Sequence, residues 1–316
     1  MPSCPLCAQE ASVAFSVGDR NRGIASRPFD YWRCGSCETY FLDPVPADLA
    51  RHYPPDYHGF PSRSELARVV RWEKPKLRLL RGTVESGRLL EIGPGIGAFA
   101  RAAVLAGFEV TAIEMDARCC EYIESVVGAR AICSDRPEQA LGSLPPFDVI
   151  AMWHVVEHLA DPWGVLERAA RALAPGGALI VAMPNPQSLQ FRLLGRYWAH
   201  VDAPRHLYLI PAATTIRKAE QLGLRHVMTT SSDLSGRRWD RFGWEYAIRR
   251  HPARRPRTKA TWAASMLLTA AISPIEARRL AGTTYTSLFV RPSASGEEDA
   301  RPTATAEDDA RAAVVG

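Results

Sequence analysis

No stretch of this 316-residue chain approaches the ~20 consecutive apolar residues that a membrane-spanning helix requires. The opening MPSCPLCAQE lacks the basic start and apolar core of a signal peptide. Together these absences lead us to expect a cytoplasmic protein. Residues 293–316 have almost no large apolar side chains and carry six acids against two arginines, so a disordered acidic tail is expected there. The net charge of +5 therefore conceals a body at +9. Hydrophobic residues at 47% let that body bury one sizeable domain and a smaller one.

Seven cysteines in such a compartment argue for metal or free thiols rather than disulfides. Four fall as CPLC (Cys4, Cys7) and CGSC (Cys34, Cys37). Two knuckles of this kind let four thiolates surround one Zn²⁺ tetrahedrally, in a closed site whose role is structural. Residues 1–60 are expected to form this zinc ribbon with an aromatic, proline-rich linker behind it. So small a unit buries too little apolar surface to fold alone, and the metal supplies the missing free energy. Between the knuckles Arg20, Arg22, Arg27 and Arg33 are interspersed with Glu10, Asp19 and Asp30. That mixture is no phosphate-binding footprint, and it disfavours nucleic acid as a partner. Cys119, Cys120 and Cys133 fall in the later part of the chain, where small buried cysteines are common.

From about residue 88, short β-rich runs alternate with helical patterns. Strands are predicted at 88–92, 108–114, 129–133, 147–153, 177–183, 224–231 and 284–291, and helices at 97–106, 116–127, 161–174 and 212–222. This alternation predicts an α/β fold with a doubly wound, mostly parallel sheet over residues 61–234 plus 284–292. The loop in LLEIGPGIGAFA follows the first of these strands, where such a sheet binds its ligand. Gly93, Gly95 and Ala98 satisfy the dinucleotide pattern G-x-G-x-x-A. Glu91, however, makes it E-x-G-x-G-x-G, and a carboxylate there suits a cationic ligand and repels a pyrophosphate. Glu114 ends the second strand, where it can accept from both hydroxyls of a ribose.

LAPGGALIVAMP then places Pro175, Gly176 and Gly177 between a helix end and the fifth strand. Together with E-x-G-x-G-x-G this resembles the class I S-adenosylmethionine-dependent methyltransferase family. The knuckles, HYPPDYHGF and HVVEHLADPWGVLERAARALAPGGALIVAMPNPQS resemble, more narrowly, a bacterial subfamily with an N-terminal zinc ribbon. The resemblance covers residues 1–234 and the last strand. It implies a seven-stranded Rossmann-like methyltransferase sheet and S-adenosylmethionine as cofactor. Glu91, Gly93, Gly95 and Gly97 would line the methionine end, and Glu114 would hold the ribose. Asp135 would bond the adenine amine, and backbone around Trp153 would cover the other side. The implied acceptor is a hydroxyl, or an activated carbon, of a small molecule, sugar or lipid-linked intermediate. An RNA methyltransferase and a non-catalytic cofactor-binding protein stand as rivals.

In FDVIAMWHVVEHLADP, His154, Glu157 and His158 stand at i, i+3 and i+4, on one face of a helical turn. H-x-x-E-H is also an inverted zinc-protease signature, but here it follows a strand rather than sitting within a helix. Three roles are open: general base, metal ligands, or structural caps. The stretch resembles the ubiquinone-biosynthesis O-methyltransferases, whose Glu-x-x-Glu-His binds a divalent ion. His154 replaces the first Glu, which favours a softer ion, if any. His206, in WAHVDAPRHLYLI, is the other candidate base; with Tyr197 and Trp198 it resembles a stretch that folds over the active-site mouth. The fourth strand ends in MWHV rather than the Asn/Asp-Pro-Pro-aromatic of base N-methyltransferases, so amino methylation of bases is disfavoured.

Residues 235–283 intervene where the last two strands usually form a hairpin. The insert holds six basic residues and no acid at 249–259, then a largely apolar run at 260–272. It reads as a lid over the substrate pocket, as a peripheral membrane contact through 249–272, or as a phosphate-binding element.

Overall fold

The computed structural model describes residues 2–249, 258–278 and 280–293. The expected tail beyond Ser293 and most of the basic stretch at 249–259 lie outside the described residues.

Seven strands form the main sheet: β4 (Arg88–Ile92), β5 (Glu109–Glu114), β6 (Arg130–Cys133), β7 (Phe147–Trp153), β8 (Leu173–Pro184), β10 (Arg225–Thr230) and β11 (Thr284–Val290). Their order is β10-β11-β8-β7-β4-β5-β6, and β11 alone runs antiparallel to its neighbours. Helices α1 (Arg63–Glu73), α2 (Ala98–Leu105), α3 (Ala117–Tyr122), α4 (Pro137–Leu141), α5 (Pro162–Ala172), α6 (Leu189–Leu194) and α7 (Ala212–Gln221) connect and cover the strands. Val149, Ile150, Ala151 and Met152 in β7 are wholly buried, as a central strand covered on both faces must be. This is the doubly wound Rossmann-like sheet that the alternating pattern predicts.

Two boundaries differ from expectation. β8 begins at Leu173 rather than 177, because Leu173 already pairs with Phe147 ahead of a register shift, and α5 therefore ends at Ala172. The helix expected over 116–127 stops being α-helical after Tyr122 and continues to Gly128 (φ +80°) through one wider π-turn.

A second sheet carries β1 (Ala11–Val17), β2 (Phe29–Cys34), β3 (Tyr40–Leu42) and β9 (Tyr208–Leu209). The first three come from the cysteine-bearing segment, and β9 comes from the connection after β8. At the head of this sheet Cys4 Sγ lies 3.7 Å from Cys37 Sγ, and Cys7 Sγ lies 3.5 Å from Cys34 Sγ. All four sulfurs fall within 4.8 Å of one another, and none is in a disulfide. A tetrahedral zinc with bonds of about 2.3 Å would space its sulfurs by about 3.8 Å, so the cluster is compatible with one such ion.

This segment is bonded closely to the main domain. Thr214 Oγ1 donates to the Cys37 carbonyl at 2.8 Å, and Trp163 Nε1 donates to that of Leu6 at 3.1 Å. Deeper in, the wholly buried Arg205 donates to Asp19 at 2.9 Å and to Asp202 at 2.7 Å. Burial pushes the Asp19 carboxyl up, but the Arg205 guanidinium outweighs it and holds the group below its usual range.

The insert forms α8 (Leu234–Arg249) and α9 (Lys259–Glu276). Among the described residues no helix is long and apolar enough to cross a membrane.

Asp19→Ala strips a buried guanidinium of one of its two counter-ions where water cannot replace it. The expected loss is ~3 kcal/mol of unfolding free energy, measured by urea denaturation. A loss below about 1 kcal/mol would show the pair to be solvated, as surface pairs are.

Candidate active site

The sheet reverses its winding between β4 and β7, and the crevice at their carboxyl ends is where this architecture places ligands. Three cavities open there.

The first, of about 410 Å³, lies over β4, β5 and β6. Gly93, Gly95, Glu114, Asp135 and Val155 are among its lining residues. The Glu114 carboxylate accepts from the backbone N–H groups of Gly95 (2.9 Å), Met115 (2.8 Å) and Asp116 (3.0 Å), which fixes it at the end of β5. Gly93 has φ +66°, and a Cβ there would lie 2.3 Å from Val155 Cγ2, so the loop can approach β7 only as glycine. Gly97 serves packing instead. It caps α2, a Cβ there would meet Ile123 Cγ1 at 3.0 Å, and it is absent from the lining of this cavity.

The second cavity, about 620 Å³, lies between α2, the segment after α1, and α8. Glu91 and Trp153 line this one rather than the first, whereas Gly93 and His154 line both. Burial pushes the Glu91 carboxyl up to about 8, against a weaker opposing pull from Lys76. Lys76 and Glu73, pairing at 2.6 Å, are also in the wall. Nothing in EKPKLRLL marked either one, because they reach the site only through the way α1 lies over the sheet.

The third cavity, about 540 Å³, is lined by His154, Glu157, His158, His200 and His206, with Trp239 and Phe242 of α8. His154 lines all three. Its backbone is left-handed (φ +54°), a conformation that strains a non-glycine residue by ~1–3 kcal/mol. Its Nδ1 lies 3.5 Å from Glu157 Oε1, and its ring stands against Trp239 at 5.2 Å. Glu157 is only 1% exposed. Burial pushes its carboxyl up, but the His154 ring, with His158 and His206 behind it, prevails and holds it at about 2.

His158 Nδ1 lies 2.9 Å from the Arg205 carbonyl, and His206 Nδ1 lies 2.8 Å from that of His200. A carbonyl only accepts, so each Nδ1 carries a proton. Glu157, His158 and His206 bring ligand atoms within 4.8 Å of one another. Burial and the nearby His206 push His158 down to about 4, so it is neutral at pH 7. Of the acceptor-loop residues expected at the mouth, His206 lines the third cavity, Trp198 is buried beside it against His200, and Tyr197 is exposed elsewhere, beside Arg20. His200 and the α8 aromatics carried no motif in the sequence. The connection after β8 brings His200 here, and α8 brings the two aromatics.

Residues 63–229 match the family described as "Methyltransferase domain", more than half of the chain, and the protein belongs to that family. It is a class I S-adenosylmethionine-dependent methyltransferase. The chain is 31% identical over 171 residues to a ubiquinone biosynthesis O-methyltransferase of Xylella fastidiosa (strain M23), which is 51% of this chain and 68% of that protein. To a protein of the same name from Caulobacter sp. (strain K31) it is 38% identical over 106 residues, covering 32% of this chain and 42% of that one. A SAM dependent methyltransferase from Archaeoglobus fulgidus superposes with a TM-score of 0.48 at 20% identity, covering 72% of this chain and 94% of that one.

Glu91 has a clear pH signature. Its carboxyl ionises near 8 in the folded chain and near its ordinary 4.5 once unfolded, so the fold binds this proton more tightly. The resulting stability is full below pH 4.5 and is lost as pH rises through 8. Glu91→Gln, neutral throughout, should therefore melt at a higher temperature than wild type at pH 8.5 without cofactor, with the gap closing by pH 5. A gap that does not change with pH in thermal-shift assays would contradict this assignment.

Proposed function

We propose that the enzyme methylates a hydroxyl, or an activated carbon, of a small-molecule acceptor held in the third cavity, with His154 as the base. One observation carries this reading: His154 stands where the three cavities meet, its Nδ1 facing an ionised, buried Glu157. In this reading the adenosine lies in the first cavity, with Glu114 on the ribose and Asp135 near the adenine. S-adenosylmethionine supplies an electrophilic methyl group on a sulfonium. The protein has to align the acceptor, exclude water and remove a proton. His154 Nε2 takes the hydroxyl proton, and Glu157 stabilises the imidazolium that results. The strained backbone at 154 keeps the ring at this junction.

The O-methyltransferase names of the relatives support oxygen as the methylated atom. Trp239 and Phe242 wall the third cavity, which supports the insert as its lid. The exposed Trp262, Met266 and Leu267 of α9, next in sequence to a basic stretch, support contact with an anionic lipid surface and hence a lipid-linked acceptor. Residues 1–60 are then the ribbon and linker, 61–234 with 284–292 the catalytic domain, and 235–283 the lid.

The test is a screen with labelled cofactor against sugar-nucleotide, lipid and phenolic acceptors, with bulk RNA alongside. With the acceptor so found, His154→Ala should lower kcat by ~10²–10⁴-fold and leave S-adenosylhomocysteine affinity intact. A full rate would remove His154 from the chemistry.

The tied Nδ1 atoms of His158 and His206 favour a second role for that cluster. Histidines that ligate metals are commonly oriented in this way, and two Nε2 atoms with the buried Glu157 carboxylate suit a zinc-like ion that would acidify the acceptor hydroxyl. Metal analysis separates the two centres. Cys4→Ser should lose about one equivalent of zinc, the ribbon's, and His206→Ala about one further ion while the ribbon zinc is kept. A metal count untouched by His206→Ala would leave these residues to base chemistry alone, and one untouched by Cys4→Ser would remove the ribbon zinc.

A further inference from the structure

A further cavity, about 690 Å³, lies between the loop that joins β1 to β2 and the connection after α6, and the chemistry above leaves it unused. Arg20, Arg22, Arg196 and Tyr197 are in its wall. Along the chain Arg20 and Arg22 are interspersed with acids, but the fold sorts the charges. Asp19 is the one acid among the described lining residues, and its carboxylate is engaged elsewhere. That side chain is wholly buried and accepts from Arg205 at 2.9 Å and from the backbone N–H groups of Arg22 (3.1 Å) and Ile24 (3.0 Å). Asp30 bonds Ser16 Oγ and lies outside the lining. Three guanidinium groups thus border a space whose own carboxylate is already neutralised.

Tyr197 holds two of these groups in place. Its ring is 47% exposed, yet the Arg20 guanidinium stands 4.8 Å from the ring centroid and that of Arg196 stands 5.0 Å away. Arg196 also donates to the Tyr197 hydroxyl at 2.9 Å. Two like charges gathered on one ring repel each other, and an anion beside them relieves that repulsion. Guanidinium forks match phosphate oxygens in geometry and give up water readily. The cavity also communicates with the third one. Arg22 lines both, standing 4.7 Å from the Tyr57 ring centroid, and Arg20 bonds the hydroxyl of Tyr246 in the wall of the third cavity. A molecule whose reacting group lies at His154 can therefore extend an anionic end past Arg22 into this space.

We propose that this cavity binds a phosphate group of the acceptor, with Arg20, Arg22 and Arg196 contacting it and Tyr197 positioning two of the three. The proposal rests on the acceptor placement above and narrows the acceptor to compounds that carry a phosphate. It gives the loop between β1 and β2 a part in substrate selection.

Inorganic pyrophosphate is the probe, read by calorimetry on the whole chain. Wild type should bind it, and Arg196→Gln, at an exposed position, should weaken it about tenfold, the scale of one lost charge-assisted hydrogen bond. Arg168→Gln, on an exposed part of α5 outside the lining, should leave it within about twofold. S-adenosylhomocysteine affinity should be unchanged in both variants. With the acceptor found in the screen above, Arg196→Gln should raise KM about tenfold and leave kcat within about twofold. Removing the acceptor's phosphate should erase that difference between variant and wild type. Soluble phosphate esters and lipid phosphates, run in parallel, show which source carries the group. Equal pyrophosphate affinity in wild type and Arg196→Gln would overturn the proposal, as would an acceptor without phosphate that both methylate equally; His154 would keep its role in either case. Bulk RNA methylated by wild type and lost in Arg196→Gln would overturn it too, by giving the arginines to a polynucleotide. A full rate in His154→Ala, beside a tenfold loss of pyrophosphate in Arg196→Gln, would remove the catalytic reading and keep the phosphate site.

Discussion

The active site depends on a left-handed residue at the end of β7. At φ +54°, His154 leaves the central strand and lines all three cavities at once. An ordinary strand end would carry the next residue onward. Here the chain folds back immediately into Val156–His158, placing Glu157 beneath the ring it serves. The local strain is borne by the surroundings: the His154 N–H donates to Ala182 in the neighbouring strand, and β7 is buried on both faces.

The N-terminal segment belongs to this site as much as to its own cluster of four thiols. Asp19, in the loop between β1 and β2, holds Arg205, and the carbonyl of Arg205 orients His158. Asn21 and Arg22 of the same loop line the third cavity. Losing order at the cysteine end would therefore disturb the wall of the third cavity and the orientation of a histidine far along the chain.

Among the buried polar side chains that lack a hydrogen bond, Glu91, Trp153 and His200 line the cavities. Burial holds Glu91 protonated at neutral pH, and the same burial makes it strong when a cation arrives. Stability is given up where ligand is to be bound, a common arrangement in enzyme sites.

Much of this was legible in the residues themselves. Short β-rich runs alternating with helical patterns define β4 through β8, because strands buried on both faces admit few other residues. The glycine loop was legible because Gly93 has no room for a side chain, and the cysteine pairs because their spacing is the geometry of a knuckle. Glu91 and Trp153 could be marked as site residues from their place at strand ends, but not assigned to a cavity apart from Glu114. Lys76, Glu73, His200, Trp239 and Phe242 carry no local signal. They reach the site only when α1, the acceptor loop and the insert come back over the sheet, and contacts between residues so distant in the chain are decided by packing, which short-range pattern does not encode.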